Sequence, residues 1–138
     1  MAPVAERRRS PFEYALVRVV PRVERGERFN AGVIVFSRPR RFLGALTELD
    51  GRVLAALAPG SDPNEVRTHL AAIERIAAGD PAGGPIAALS TAERFHWLVS
   101  PSSTIVQPSE VHTGLSADPT RTLHHLFDTL VRGRASEA

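Results

Sequence analysis

The residues best suited to chemistry lie together near the C-terminal end. His112-Thr113-Gly114 follows Ser109 and Glu110, which places an imidazole, hydroxyls, a carboxylate and a glycine within six positions. A neutral imidazole there could accept a proton, while hydroxyls and a glycine N–H could hold an anion. No second carboxylate or nucleophile is fixed by spacing, so a structural role stands beside the catalytic one. In that role the His112 ring bonds a nearby carbonyl and fixes the loop after a fourth strand.

Arg18 is the second candidate. It belongs to a set with Arg22, Arg25 and Arg28 that alternates with Glu24 and Glu27 across the first turn. On a strand it shares a face with Tyr14, Leu16 and Val20, which predicts that it is at least half covered. Its guanidinium could clamp a phosphate or carboxylate, or pair internally with Glu24 or Glu27; the internal pair ranks first.

The stretch from Phe95 to Leu115 also holds the chain's single Trp and two of its five His. Pro101 and Pro108 bracket the short run Thr104 to Gln107. If a helix continues through Phe95, that residue shares a face with Leu98 and Val99, and Trp97 points roughly opposite. Such a Trp covers a second cluster or anchors an interface. Gly32, inside a strand pattern, signals a bulge or a close backbone approach.

Several chemistries lack their signatures. His124 and His125 are helical neighbours about 100° apart and cannot chelate one metal together. His69 flanks its helix stripe. There is no HExxH, glycine-rich phosphate loop or EF-hand pattern, and Ser102-Ser103-Thr104 is not a nucleophile elbow. No metal and no cofactor is expected.

Composition narrows the class. The 138 residues suit one domain, 43% hydrophobic and 23% charged. With no Cys, disulfides and thiolate metal sites are excluded. All 17 basic residues are Arg, a bias that fits a GC-rich genome better than a local anion site. Removing residues 1–9 and 132–138 leaves 12 Arg against 13 acidic residues, so the body is near neutral. That argues against a dedicated nucleic-acid surface. No run approaches the roughly 18 apolar residues of a membrane span, and no apolar signal core follows Arg7-Arg8-Arg9. A cytoplasmic location is the expectation.

The elements that must position these residues follow from periodicity. Residues 1–10 read as a disordered basic arm, 11–132 as a single α+β domain and 133–138 as a flexible tail. Phe12 to Val20 is aromatic and β-branched, a strand signal, and Pro21 ends it. Further strands are predicted over Ala31 to Phe36 and Phe42 to Thr47, forming an antiparallel meander. A short helix over Asp50 to Ala58 precedes one opened by Asp62-Pro63 with Glu65 closing a capping box. Its stripe is Val66, Leu70, Ile73 and Ala77, and Gly79 stops it. Ser90 to Glu93 is a second capping box. A fourth strand at residues 103–107, an extended Glu110 to Thr113 and a last helix from Asp118-Pro119 complete the chain. The last helix carries Leu123, Leu126, Phe127, Leu130 and Val131. The expected fold is a small antiparallel sheet of about four strands with three to four helices packed on one face.

Two blocks carry a resemblance. FEYALVRVVPRVERGERFNAGVIVF (Phe12 to Phe36) and Phe95 to Leu115, with its STIVQPSEVHTGL core, resemble the bacterial domain of unknown function family numbered three thousand and thirty-seven. The Asp118-Pro119 helix fits that family's C-terminal end, so the resemblance covers nearly the whole chain. The family has no established activity and transfers no catalytic residue. The resemblance implies a small stand-alone protein, often encoded beside kinases of the high-persistence toxin type, and hence a partner or regulatory role. The family commonly places an Arg where this chain has Ser102, so an anion role for that Arg does not carry over.

Three functions follow in order. The first is a binding or regulatory module that docks to a protein partner, an adjacent-gene kinase among the candidates, through Arg18, Arg22, Arg25, Trp97, Gln107 and His112. The second is a hydrolase-like enzyme or phosphate-ligand binder with His112 as base, Glu24 or Glu27 as its partner and Arg18 as clamp. Nucleic-acid binding through the Arg-rich tails comes last, and a homodimer through edge strands stays open.

Overall fold

The structure, a computed structural model, describes residues 8–102 and 104–133. One antiparallel sheet is built from β1 (Ser10–Val19), β2 (Phe29–Ser37), β3 (Phe42–Thr47), β4 (Val106–Pro108) and β5 (His112–Ser116). Among the described residues four α-helices accompany it: α1 (Gly51–Leu57), α2 (Pro63–Ala78), α3 (Thr91–Leu98) and α4 (Pro119–Leu130). The class is α+β, as the periodicity predicts. Among the described residues no helix is long and apolar enough to cross a membrane.

Each helix begins where a side-chain oxygen can take the free amides of its first turn. Asp50 accepts from the N–H groups of Arg52 and Val53, Asp62 from Asn64, and Asp118 from Thr120 and Arg121. Ser90 and Glu93 form the complete reciprocal box. Asp62 makes only its own half, without the return bond expected of Glu65. Gly79 ends α2 at φ 71°, a left-handed conformation that costs a glycine little.

β1 is the centre of the sheet. It pairs with β2 along one edge, while β4 and β5 share its other edge end to end. β1 begins at Ser10, two residues before the expected Phe12, because Ser10 pairs with Ser116 and Ser10 Oγ accepts from Arg40 Nε at 3.1 Å. The expected arm therefore loses its last residue to the sheet, and its first seven residues, like 134–138 of the tail, lie outside the described ones. The last strand likewise splits differently from the expectation, with β4 ending at Pro108 and β5 extending to Ser116.

The helices do not share one face. Ile34 and Phe36 of β2 pack with Leu54, Val66, Leu70, Ile76 and Phe95 from α1, α2 and α3. Val33 and Val35 instead pack with Leu123 and Phe127 of α4 on the other side. Every residue from Ala31 to Ser37 is buried, which requires cover on both faces of the strand. The one-face layering expected from sequence is corrected accordingly: α4 forms a third layer.

Candidate functional site

A register change builds the first cluster. β4 pairs Val17 with Pro108, and β5 pairs Tyr14 with His112. Two residues of β1, Ala15 and Leu16, therefore face three, Ser109, Glu110 and Val111, and the extra residue makes a bulge. A second bulge lies across β1, where Val17 pairs with Gly32 but Arg18 with Asn30, leaving Ala31 over. Arg18 is thus flanked by irregular backbone on both sides.

Ser109 splices the first break. Its N–H donates to the Leu16 carbonyl at 2.8 Å, and its Oγ accepts from the Leu16 N–H at 2.8 Å. The same Oγ donates to the Glu110 carbonyl at 2.8 Å. The side chain of a buried serine thus replaces one rung of the ladder.

The bulge aims Glu110 between the two strongest sequence candidates. One carboxylate oxygen lies 3.5 Å from His112 Nε2 and the other 3.9 Å from Arg18 Nη1. Arg18 is largely covered and Glu110 is exposed, 18% against 70% of the side chain, so the pair is open to water on one side only. A hydrogen bond from its own backbone N–H holds the Glu110 carboxyl below its ordinary range, helped by the charges of Arg18, His112 and Arg28. The His112 ring rests against Tyr14, its cross-strand partner, at 5.1 Å between centroids.

Sequence reasoning anticipated an internal pair for Arg18 but named the wrong acids. Glu27 instead pairs with Arg25 at 2.9 Å, and Glu24 is exposed on the turn. Both acids lie beyond the end of β1, whereas Glu110 is carried beside Arg18 by the neighbouring strand. Arg22 and Arg25 are exposed on that turn and belong to no shared cluster with His112. His112 does not anchor the loop either; Ser109 does. Chemically, the carboxylate neutralises Arg18 and orients the imidazole. Among the described residues no group of three or more His, Asp or Glu could hold a metal.

Trp97 and Gln107 belong to a separate feature. Phe95 and Leu98 turn inward from α3, and Phe95 stacks on Phe36 at 4.8 Å. Trp97, on the outward side, is 50% exposed. It walls a groove of about 480 Å³ with His69, Ala72, Ile73 and Ile76 of α2, Val17 of β1, and Val106 and Pro108 of β4. Ser100, Ser102 and Thr104 supply hydroxyls at the same groove. The Gln107 amide donates to the Thr104 carbonyl at 2.8 Å and so helps close the loop. Val17 lines the groove, whereas Arg18 points by alternation to the opposite face, so the two features adjoin at β4 back to back.

Sequence reasoning named Ser109 and Glu110 beside His112 without giving either its role, and it missed His69. Glu110 and Ser109 are polar residues in a polar stretch, and only the one-residue register change separates their roles. His69 was set aside as a helix flank, and the pairing of α2 with the strand from Val106 is what brings it to the groove.

A family model described as "Protein of unknown function (DUF3037)" matches residues 14–131. No curated protein and no solved structure matches the chain.

Proposed function

Since the chain belongs to the DUF3037 family, whose description assigns no activity, we propose from its own surface that it is a binding module that docks a protein partner through the Trp97 groove. One observation carries the reading: the single Trp is half exposed on the wall of a groove with an apolar floor. Leaving an indole that exposed forgoes hydrophobic stabilisation, and aromatic side chains beside apolar pockets are where binding energy concentrates. A volume of about 480 Å³ accommodates one or two large side chains of a partner.

The enzyme reading draws less support. Arg18 already has a counter-ion in Glu110, and no hydroxyl or thiol nucleophile lies in hydrogen-bond reach of His112 in the described contacts. A regulatory role toward an adjacent-gene kinase is the first partner hypothesis that the family resemblance supplies.

Affinity capture from host lysate tests the docking reading with wild type and Trp97→Ala side by side. Wild type should retain a stoichiometric protein, and Trp97→Ala should lose it with an unchanged melting curve. Undiminished capture, or a melting temperature that falls steeply, would remove Trp97 as an interface anchor.

A further inference from the structure

We propose that the partner docks by strand addition: an extended, uncharged segment pairs with the free outer edge of β5 and places alternate apolar side chains on Leu115 and in the Trp97 groove. This deepens the docking reading and rests on it.

The edge comes first. β5 pairs with β1 on one side and with no strand on the other among the described residues. Edge strands that must stay unpaired are shortened or bulged, or carry charge, proline or a protective cover; on this edge the bulge, the proline and the exposed Glu110 all fall ahead of β5. His112-Thr113-Gly114-Leu115-Ser116 has neither a proline nor a formally charged Arg, Asp or Glu. Its outward-facing N–H and C=O groups are therefore an open template for an incoming strand.

The side chains agree with the edge. Leu115 is 67% exposed, more than any other large hydrophobic residue described, and Val111 is 37% exposed. Thr113 and Leu115 stand opposite Glu13 and Pro11, which share a face with Val17 by the two-residue period of β1. Val17 lines the Trp97 groove, and so does Pro108. Leu115 and the groove thus lie on one face along one edge of the sheet. Pro108 has no N–H, and the Glu110 bulge bends the strand ahead of it, so backbone pairing belongs to β5 while side-chain capture belongs to the groove.

The chemistry of the occupant follows from charge. The groove lining contains no Arg, Asp or Glu, only hydroxyls, one amide, one imidazole and the indole as polar groups. A charged side chain placed there would lose water without gaining a partner. The incoming segment is accordingly uncharged where it enters the groove, with apolar residues at every second position.

Random linear peptides displayed on phage and selected against the whole protein supply the probes. The consensus is then made as capped synthetic peptides, each with one backbone N-methyl group, and titrated while following the fluorescence of the single Trp. The expected consensus is uncharged, with apolar residues two apart. N-methylation should weaken binding tenfold or more at alternate residues and leave the intervening ones unaffected. Leu115→Lys should cost tenfold or more with an unchanged melting curve, since that side chain is already in water. Trp97-dependent peptides that are charged, carry apolar residues three and four apart, or ignore both N-methylation and Leu115→Lys would overturn strand addition and leave groove docking standing. Failure to select any peptide would overturn it too, as would a sedimenting dimer that Leu115→Lys dissociates, because the edge would then be closed by a second copy. Selected phage that bind immobilised Trp97→Ala as well as wild type would remove the docking reading itself.

Discussion

At the scale of single residues, Ser109 and His112 exchange the roles that their chemistry suggests. The serine is buried, and its Oγ is the acceptor for the Leu16 N–H. Ser109→Ala leaves that amide without a partner and should cost about 1–3 kcal/mol, the usual penalty for an orphaned buried donor. His112 is exposed and meets Glu110 at 3.5 Å, so His112→Ala should cost about 1 kcal/mol or less. Urea denaturation of the two variants decides the order; a larger loss for His112→Ala would return the loop anchor to the imidazole. Glu110 makes a titration prediction with a definite sign. Its carboxyl lies below the ordinary 4.5 in the folded protein, so its favourable contacts are fully present above that value and disappear as pH falls through the lower one. The largest cause is its own backbone N–H and not Arg18. In Arg18→Gln the midpoint followed by carbon NMR should therefore rise only part of the way back. A complete return would make Arg18 the dominant influence. None of this was readable from residue types, because Ser109, Glu110 and His112 are all equally polar in a string; the bulge alone separates anchor, carboxylate and imidazole.

At the scale of elements, boundaries set by local chemistry were legible and layering was not. Ser90 and Glu93 cap α3 as their spacing requires, and Val66, Leu70 and Ala77 form the buried stripe of α2. These signals need only a side chain and a backbone within one turn. The placement of α4 on the opposite face depends on which face of β2 it meets, a contact between residues far apart in the chain, as with Asn30 Nδ2 donating to the Leu130 carbonyl 100 positions on at 3.0 Å. A hint was present in the unbroken apolar run Ala31 to Phe36, since a strand with one wet face alternates. Gly32 was legible as well. A Cβ there would meet the Leu46 carbonyl oxygen at 2.9 Å and Val17 Cβ at 3.2 Å, and the first of these is backbone that cannot swing aside. Gly32→Ala should destabilise by about 1–3 kcal/mol through overpacking at the second bulge. Calorimetry showing no loss would mean that β2 and β3 shift apart freely there, and that the bulge beside Arg18 is not held rigidly.

At the scale of the whole molecule, charge is where composition is most easily misread. A sequence isoelectric point of about 10.3 suggests an anion-seeking protein. With no Lys or Cys and a single Tyr, little titrates between His and Arg, so a formal charge of +2 is enough to produce it. The excess lies in the terminal residues, while Arg18 and Arg25 are each beside a carboxylate in the folded body. The groove lining contains no Arg, Asp or Glu at all. Docking driven by such a surface releases few counterions, so its affinity should change by less than about threefold when salt rises from about 50 to about 200 mM. A nucleic-acid mode resting on six or more phosphate contacts would instead lose about a thousandfold over the same interval. Isothermal titration of the captured partner at the two salt concentrations separates these cases. A steep loss would transfer the function from the Trp97 groove to the arginines, since those are the only groups in the chain able to release counterions in that number.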